Sequence, residues 1–469
     1  MSTDDKTKSP KMFGRDTIYT LVDEITRENL PSVINNALTV HIKNSTQIKY
    51  LAEYEKGNQP ILNREKIIRP EICNKAVENH AAEATAFFSG YFIGESCKYI
   101  QRGAKKGVSD DIDRLNEYMY LADKESCDEE LVNKFYCTGV GYRMCLASSD
   151  KNSDVPFEID SCDPENTFIV YKSGFGKRRM LGCQIIKLAD ESTVYAGYTK
   201  THYFETDGKT VLKWEPHTYI DIPIFEYNAY TTKMGVYEPV IDIYDSINKT
   251  QSNRLDGVEA FIQALLVFVN CDVDADGVDK MRQSGFVKLK TMGDVKAEIK
   301  LIAEQLDQMQ TQTLIDCMVD TSKAIIGMPN NAKGLGGGAS GNVGSVVAWQ
   351  GWEMCEPRIK KTERLYKRSE RLFMRHLLKI IKDTDGIDID ESDVEPEFAR
   401  HNIENIQVKT QSLQTMLGCG IEPAEAIAAV KIWSDPNAVT TKSKAFLKKW
   451  EYKEPTAQEP VKQEPPVQP

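Results

Sequence analysis

The sequence predicts a mixed α/β fold of the α+β kind, and three observations carry that reading. Apolar residues recur at intervals of three and four in several long stretches, the period of a helix with one buried face. Between Tyr142 and Pro216 the texture changes to short alternating or β-branched runs parted by turn residues, the pattern of strands joined by hairpins. Between residues 238 and 347 two amphipathic segments flank a compact insert, and the second runs into a glycine-rich loop.

Residues 1–15 are polar and read as disordered. From Thr17 to Tyr54 a helical reading holds, with Pro31 breaking or starting a segment. Pro70 to Phe88 reads as a helix, and Gly90 and Gly94 bracket the short aromatic piece YFI; residues 111–137 are helical again. After Gly139 and Gly141 come the strand-like runs YRMCLAS, TFIVYK, MLGCQIIKLA, STVYAGYT, THYFET and TVLKWEP. Asp207-Gly208, between the last two, is a strong hairpin dipeptide.

The first amphipathic segment aligns Val240, Ile243, Tyr244 and Ile247, then Leu255, Val258, Phe261, Ile262, Leu265, Leu266 and Val269. The second repeats the period through Leu301, Ile302, Leu306, Met309, Leu314, Cys317 and Met318. Between them, 270–300 holds strand-like FVKLK, which suggests a small α/β excursion; after them, MPNNAKGLGGGASGNVGS has no apolar stripe at all. Val346 to Lys382 predicts a long helix kinked at Pro357, with Ile359, Tyr366, Leu372, Phe373, Leu377, Ile380 and Ile381 on its buried side. Residues 402–433 give at least two further helices, Glu422-Pro423 suiting a helix start. The proline-rich tail from Glu451 is expected to be extended.

Charged residues are 28% and hydrophobic residues 41%, the balance of a folded soluble protein. A formal net charge of -11 argues against a tight nucleic-acid grip, which favours a basic excess, yet leaves room for a protein that surrounds DNA. The longest apolar run, Ala264 to Val269, is far short of the roughly 20 residues of a bilayer span, so no membrane partner is expected. The N-terminus has no apolar signal-peptide core. Eleven cysteines with no CxxC pair read as reduced thiols.

Several motifs invite chemistry without completing it. Asp272-Val-Asp274-Ala-Asp276-Gly277 opens like an EF-hand loop, but Gln283 stands where the bidentate Glu belongs and Lys280 points a cation at a cation site. A calcium-regulated interaction protein using 272–283 is therefore a rival reading. Gly336-Gly337-Gly338-Ala339-Ser340-Gly341 matches GxGxxG, yet follows a helix and Pro329 instead of a strand, and Asn342-Val343 replace the Lys-Ser/Thr of a phosphate loop. A nucleotide-binding enzyme using this loop is the second rival; backbone freedom is the stronger purpose of its glycines. The cation-rich run Arg358 to Lys379 is either a solvated face or a contact for DNA or an acidic partner. Six scattered histidines, no HExxH and no GxSxG leave no catalytic centre marked, and no cofactor or metal is called for.

The order of segments resembles the portal (head-to-tail connector) proteins of tailed bacteriophages, in the branch typified by siphophages of Gram-positive hosts. The resemblance covers roughly residues 60–440. It rests on AFFSGYFIGE (86–95), CTGVGYRMCLAS (137–148), IPIFEYN (222–228) followed by EPVIDIYDSINKTQSN (238–253), and SGNVGSVVAWQ (340–350) before the long helix. The resemblance implies a ring of twelve subunits around a channel for double-stranded DNA. It further implies a wing (16–235 and 346–401), stem helices (236–268 and 301–326), a clip (269–300), a tunnel loop (327–345) and a crown (402–450). In that picture Asn330, Asn331 and Lys333 touch DNA, with Gly334, Gly336, Gly337, Gly338 and Gly341 freeing the loop. Asp242, Asp245, Asp256, Glu259, Asp307, Asp316 and Asp320 are candidates for an acidic lining that lets DNA slide. The implied partners are the terminase large subunit, the major capsid protein, the scaffolding protein and head-completion adaptors; the implied location is one capsid vertex of the virion.

Overall fold

The computed structural model describes residues 14–67, 69–94, 97–102, 109–150, 153–262, 265–269, 298–302, 308–329, 352–398, 406–430 and 439–444. The fold is mixed α/β, as expected, and the chain divides into two compact units, 1–400 and 401–469.

The first unit opens with a short strand, β1 (Ile18–Thr20), and a 26-residue helix, α1 (Leu30–Glu55). Pro31 lies in the first turn of α1, where its missing N–H costs nothing, so it starts a helix and does not break one. Residues 18–20 are strand and not the helix expected there, because β1 pairs parallel with a partner far along the chain. The next helix, α2 (His80–Ile93), begins ten residues later than Pro70, and Asn79 caps it by accepting from the Ala82 N–H. It runs straight through Gly90 and ends at Gly94.

The expected helical stretch 111–137 is two helices, α3 (Ser109–Leu121) and α4 (Lys124–Thr138). They are parted by Asp123 in the left-handed region, at φ 48°. Between α2 and α3 lies β2 (Lys98–Gln101).

The strands then follow: β3 (Gly141–Ala147), β4 (Phe157–Cys162), β5 (Thr167–Lys172), β6 (Arg179–Lys187), β7 (Thr193–Thr199), β8 (His202–Thr206), β9 (Val211–Pro216) and β10 (Ile224–Tyr227). One sheet has the order β1-β5-β6-β7-β8-β9, antiparallel except for the β1–β5 pair; a second is β10-β3-β4. The β8–β9 turn bears out the Asp207-Gly208 hairpin: the Asp207 carboxylate accepts the N–H groups of Lys209 (2.7 Å) and Thr210 (2.6 Å), and Gly208 takes φ +85°.

The paired helices are shorter than their apolar period. α5 spans Ile241–Ile262, then the chain turns into β11 (Leu265–Val269), which pairs antiparallel with β12 (Glu298–Ile302), and α6 spans Gln308–Ile326. Leu265, Leu266, Val269, Leu301 and Ile302 are therefore strand and not the helix their spacing suggested. A run such as LLVFV is all β-branched or bulky, and satisfies a strand as well as a buried helix face. The long helix α7 (Trp352–Asp385) contains Pro357, and β13 (Val394–Glu397) pairs with β2. Leu372, expected on its buried side, is exposed at 38%, while Ile359, Tyr366, Phe373, Leu377, Ile380 and Ile381 are buried as expected.

Two main cores result. Ile18, Leu30, Val33, Ile34 and Ala37 pack on Phe168, Val170, Leu181 and Phe204 of the six-stranded sheet. A larger core joins α2, α4, the β10-β3-β4 sheet, the start of α5 and the buried side of α7. The second unit holds α8 (Ile406–Gly418) and α9 (Pro423–Val430), which pack on each other, α9 beginning at the proline expected to start it.

Candidate functional site

The candidate site is the α5–α6 pair and what fixes its two ends. At the entry, Glu238 sits just before α5 in a buried ion pair with Arg15 (2.8 Å) and also accepts the Gly235 N–H (2.9 Å) and the Gly14 N–H (3.1 Å). The Arg15 guanidinium reaches further to the Thr138 carbonyl (3.2 Å), so three distant segments converge where the helix starts.

Along α5 the inward polar side chains are spoken for by the segment that precedes α2. The N–H groups of Asn74, Ala76 and Glu78 donate to Asp256 Oδ1 (2.7 Å), Ser252 Oγ (3.0 Å) and Asn248 Oδ1 (2.7 Å). Two residues of extended chain advance about 6.6 Å and four residues of helix about 6 Å, so an i, i+2 row of donors meets an i, i+4 row of acceptors in register. This is why residues 70–79 are not helical: their backbone donors are taken by a helix elsewhere. It also explains why Asn248 and Ser252 are wholly buried despite being polar.

Asp256 has the fullest set of partners. Arg64 and Lys66 both lie 3.0 Å from its Oδ2, and the Asn74 side chain bonds its Oδ1 (3.0 Å) and Glu259 (3.0 Å). Burial pushes the Asp256 carboxyl up, but the Asn74 N–H and the Lys66 and Arg64 charges outweigh it, and the carboxyl lies below its ordinary value. Asp245 accepts the Tyr54 hydroxyl (2.9 Å), and Asp316 accepts from Gln312 (2.8 Å). Asp242 is exposed; Asp320 is half-buried with a partner. Of the seven acidic candidates, then, Asp245, Asp256, Glu259, Asp316 and Asp320 are engaged by their own chain, and Asp242 alone is exposed among those described. Asp307 lies outside the described residues.

Between the helices, Arg254 of α5 donates to Gln308 (2.6 Å) and to Gln312 of α6. The apolar stripe is split. Tyr244, Ile247, Ile315 and Ile326 are buried, whereas Leu255, Val258, Leu314 and Met309 are exposed at 48%, 47%, 53% and 82%. Among the described residues this second set is left exposed, although their spacing placed them on the same buried side.

The exit of α6 is a glycine-terminated cap. Met328 N–H returns to Lys323 O (2.9 Å) and Gly327 N–H to Ala324 O (3.2 Å), with Gly327 at φ +75°. Arg358 of α7 donates to Ile325 O (2.7 Å) and lies so close that a Cβ on Gly327 would fall 2.7 Å from it. The chain thus leaves α6 on a fixed heading. Asn330, Asn331, Lys333, Gly334, Gly336, Gly337, Gly338 and Gly341 lie outside the described residues, as does the EF-hand-like stretch 272–283.

Sequence reasoning missed one feature altogether, a buried charge quartet that fastens α7 to the rest. Arg143 of β3 lies 3.0 Å from Glu370 of α7 and also pairs with Asp128 of α4; Lys124 pairs with Asp128 and, at 3.3 Å, with Glu370. Tyr227 (2.6 Å) and Tyr99 donate to Glu370, and Tyr366 (3.0 Å) to Asp128. Burial alone would raise the Glu370 carboxyl, but the Lys124 and Arg143 charges and the two hydroxyls hold it down at about 2. Two cations and two anions from three elements make a neutral, hydrogen-bonded set, the condition under which buried charge is tolerated. The sequence signal was faint: one Glu among the cations of α7, at a position the helical period places beside Tyr366 and Phe373.

Among the described residues no cluster of histidine, cysteine, aspartate or glutamate could hold a metal ion, and no helix is long and apolar enough to cross a membrane. Comparison with curated proteins returns no match. A family model described as phage portal protein, SPP1 Gp6-like, matches residues 35–456. That span takes in the larger core, the α5–α6 pair and helices α8 and α9, and the chain belongs to the phage portal protein, SPP1 Gp6-like, family.

Proposed function

We propose that copies of this chain close into a ring of twelve at one capsid vertex, with α5 and α6 forming the wall of a channel for double-stranded DNA. The observation that carries the reading is the open apolar set Leu255, Val258, Met309 and Leu314 on the helix pair of a portal-family chain. Soluble proteins rarely leave such a row uncovered, and covering it with the same surface elements of a neighbour makes an oligomer. A chain of net charge -11 repeats its acidity around the ring, which suits a conduit that must pass DNA without holding it.

In this reading Asp242 is the first candidate for the lining, and Asp316 and Asp320 come next. Asp256 and Glu259 serve the wall's rigidity. Residues 236–268 and 301–326 supply the stem, 269–300 the clip and 327–345 the tunnel loop, with Asn330, Asn331 and Lys333 meeting phosphates as DNA passes. The ring would dock the terminase large subunit during packaging and head-completion adaptors afterwards, and meet the major capsid and scaffolding proteins as the head is built. The wing is 16–235 with 346–401, and the crown is 402–450.

Deleting Gly334 to Gly341 tests the loop assignment. Rings that persist in electron micrographs while DNA packaging or retention fails agree with it; loss of the rings would make the loop a structural part.

A further inference from the structure

The hairpin that joins β5 to β6 ends in Ser173-Gly174-Phe175-Gly176-Lys177-Arg178. Gly174 and Gly176 take φ +107° and +92°, and Lys177 takes +42°. Three left-handed residues in a tip of this size are costly for any side chain but glycine. Their effect is to lift Phe175 clear of the body: it is 110% exposed, and a Cβ on either flanking glycine would meet nothing within 4 Å. Phenylalanine is among the residues most often buried, so a fully bared ring held out on a strained turn is poised for a pocket elsewhere. Lys177 and Arg178 beside it are exposed and form no salt bridge among the described residues.

At the opposite end of the same strand lies a groove of about 310 Å³ between α1, α4 and the turn 163–165. Ile48, Ala52 and Pro164 give it an apolar lining; Glu55, Glu130, Asp163 and Glu165 give it an acidic rim. Its one cation, Lys134, is already committed to Glu130 and to the Ser161 carbonyl (2.7 Å). Glu55, Asp163 and Glu165 form no salt bridge among the described residues. Burial raises the Glu55 carboxyl above its ordinary value, so this acid lacks a sufficient cation in the single chain.

We infer that the Phe175 tip of one copy enters the 163–165 groove of the next, with Lys177 and Arg178 set against Glu55, Asp163 and Glu165. Size, polarity and charge agree, and the placement agrees as well. The groove's turn comes just before Thr167 and the tip just after Lys172, so six residues of strand hold knob and socket about 20 Å apart. Two different patches at opposite ends of one strand make a head-to-tail contact, which closes into a ring when the rotation allows. The inference rests on the ring reading above and adds the contact that would set its handedness and partner choice.

The test uses the full chain and its assembled mass by light scattering, at several concentrations. Phe175→Asp with Lys177→Glu should weaken assembly by about 30-fold or more, the loss expected of a buried aromatic anchor. Glu130→Lys with Glu165→Lys should do the same from the other side. Because Phe175 and Lys177 are exposed and Lys177 forms no salt bridge among the described residues, the first variant should melt with the wild type. Mixing the two variants should restore association, because the unchanged tip of one meets the unchanged socket of the other and the two reversed surfaces are also opposite in charge; a mixture no heavier than its separate parts would overturn the contact. Wild-type rings with variant rings of equal stability would overturn this contact and leave the ring standing; a wild type that never assembles would remove both.

Discussion

The buried side of α7 and the open side of α5–α6 handle the same problem in opposite ways. Around Glu370 the chain gathers two cations, two anions and three tyrosine hydroxyls from α4, β2, β3, β10 and α7, and closes the set within one subunit. Along α5 and α6, among the described residues, it leaves Leu255, Val258, Leu314 and Met309 exposed. The first region is complete in the monomer and the second is not. A portal-family chain with one region closed and another left open reads as a part made for assembly: rigidity is settled before subunits meet, and apolar area is kept for the meeting.

The strongest way to break the comparison is to open the quartet. Arg143→Ala leaves Glu370 and Asp128 buried with one cation between them, and should destabilise the subunit by about 3–5 kcal/mol, measured by chemical unfolding. If the cost were under about 1 kcal/mol, the subunit would not depend on that closure.

A second route is acid. His376 is buried against the Cys145 carbonyl (3.1 Å), and burial holds it down at about 4 against an ordinary 6.5. The unfolded chain therefore binds its proton first, and the stability His376 contributes is full above pH 6.5 and lost as the pH falls toward 4, by up to about 3 kcal/mol. His41 and His217, also lowered chiefly by burial, act in the same sense, whereas His80, raised by its bond to Glu83, acts in the opposite one. Glu370 adds a separate window: its contribution is complete above the ordinary 4.5 and disappears as the pH falls through about 2. Unfolding curves of His376→Gln should be flatter than wild type between pH 6.5 and 4 and parallel to it below. A slope unchanged by the substitution would mean that His376 does not titrate there.

A smaller effect tests the ladder between residues 74–78 and α5. Ser252→Ala leaves the Ala76 N–H without its buried acceptor and should cost about 1–3 kcal/mol. The loosened segment should also be cut sooner by protease. Least of all should be the effect of Leu255→Asp on the subunit itself, within about 0.5 kcal/mol, since that side chain is exposed in the monomer. Its effect on assembly is the point of making it.

These regions also differ in how far the sequence disclosed them. Strands β3 and β5 to β9 and helices α8 and α9 were legible because their periods and turn residues act locally, as at Asp207-Gly208. The helix over Pro70–Phe88 was misjudged because Asn248, Ser252 and Asp256 capture its backbone from some 180 residues away, and no local pattern records that. Leu265 and Leu301 sat in helical register yet form strands, since a short apolar run fits both periods. For the site, the apolar stripe was visible but not its division into buried and exposed halves. Asp256 stood among the candidates for an acidic lining because Arg64 and Lys66, its partners, lie far off in the chain.

The mass of the purified chain in solution, measured beside Leu255→Asp with Leu314→Asp, tests the account most directly. The account predicts a closed particle near twelve chains for the wild type and free subunits with unchanged melting for the variant. A wild type that stays monomeric under every assembly condition, or a variant that assembles as well as its parent, would contradict it.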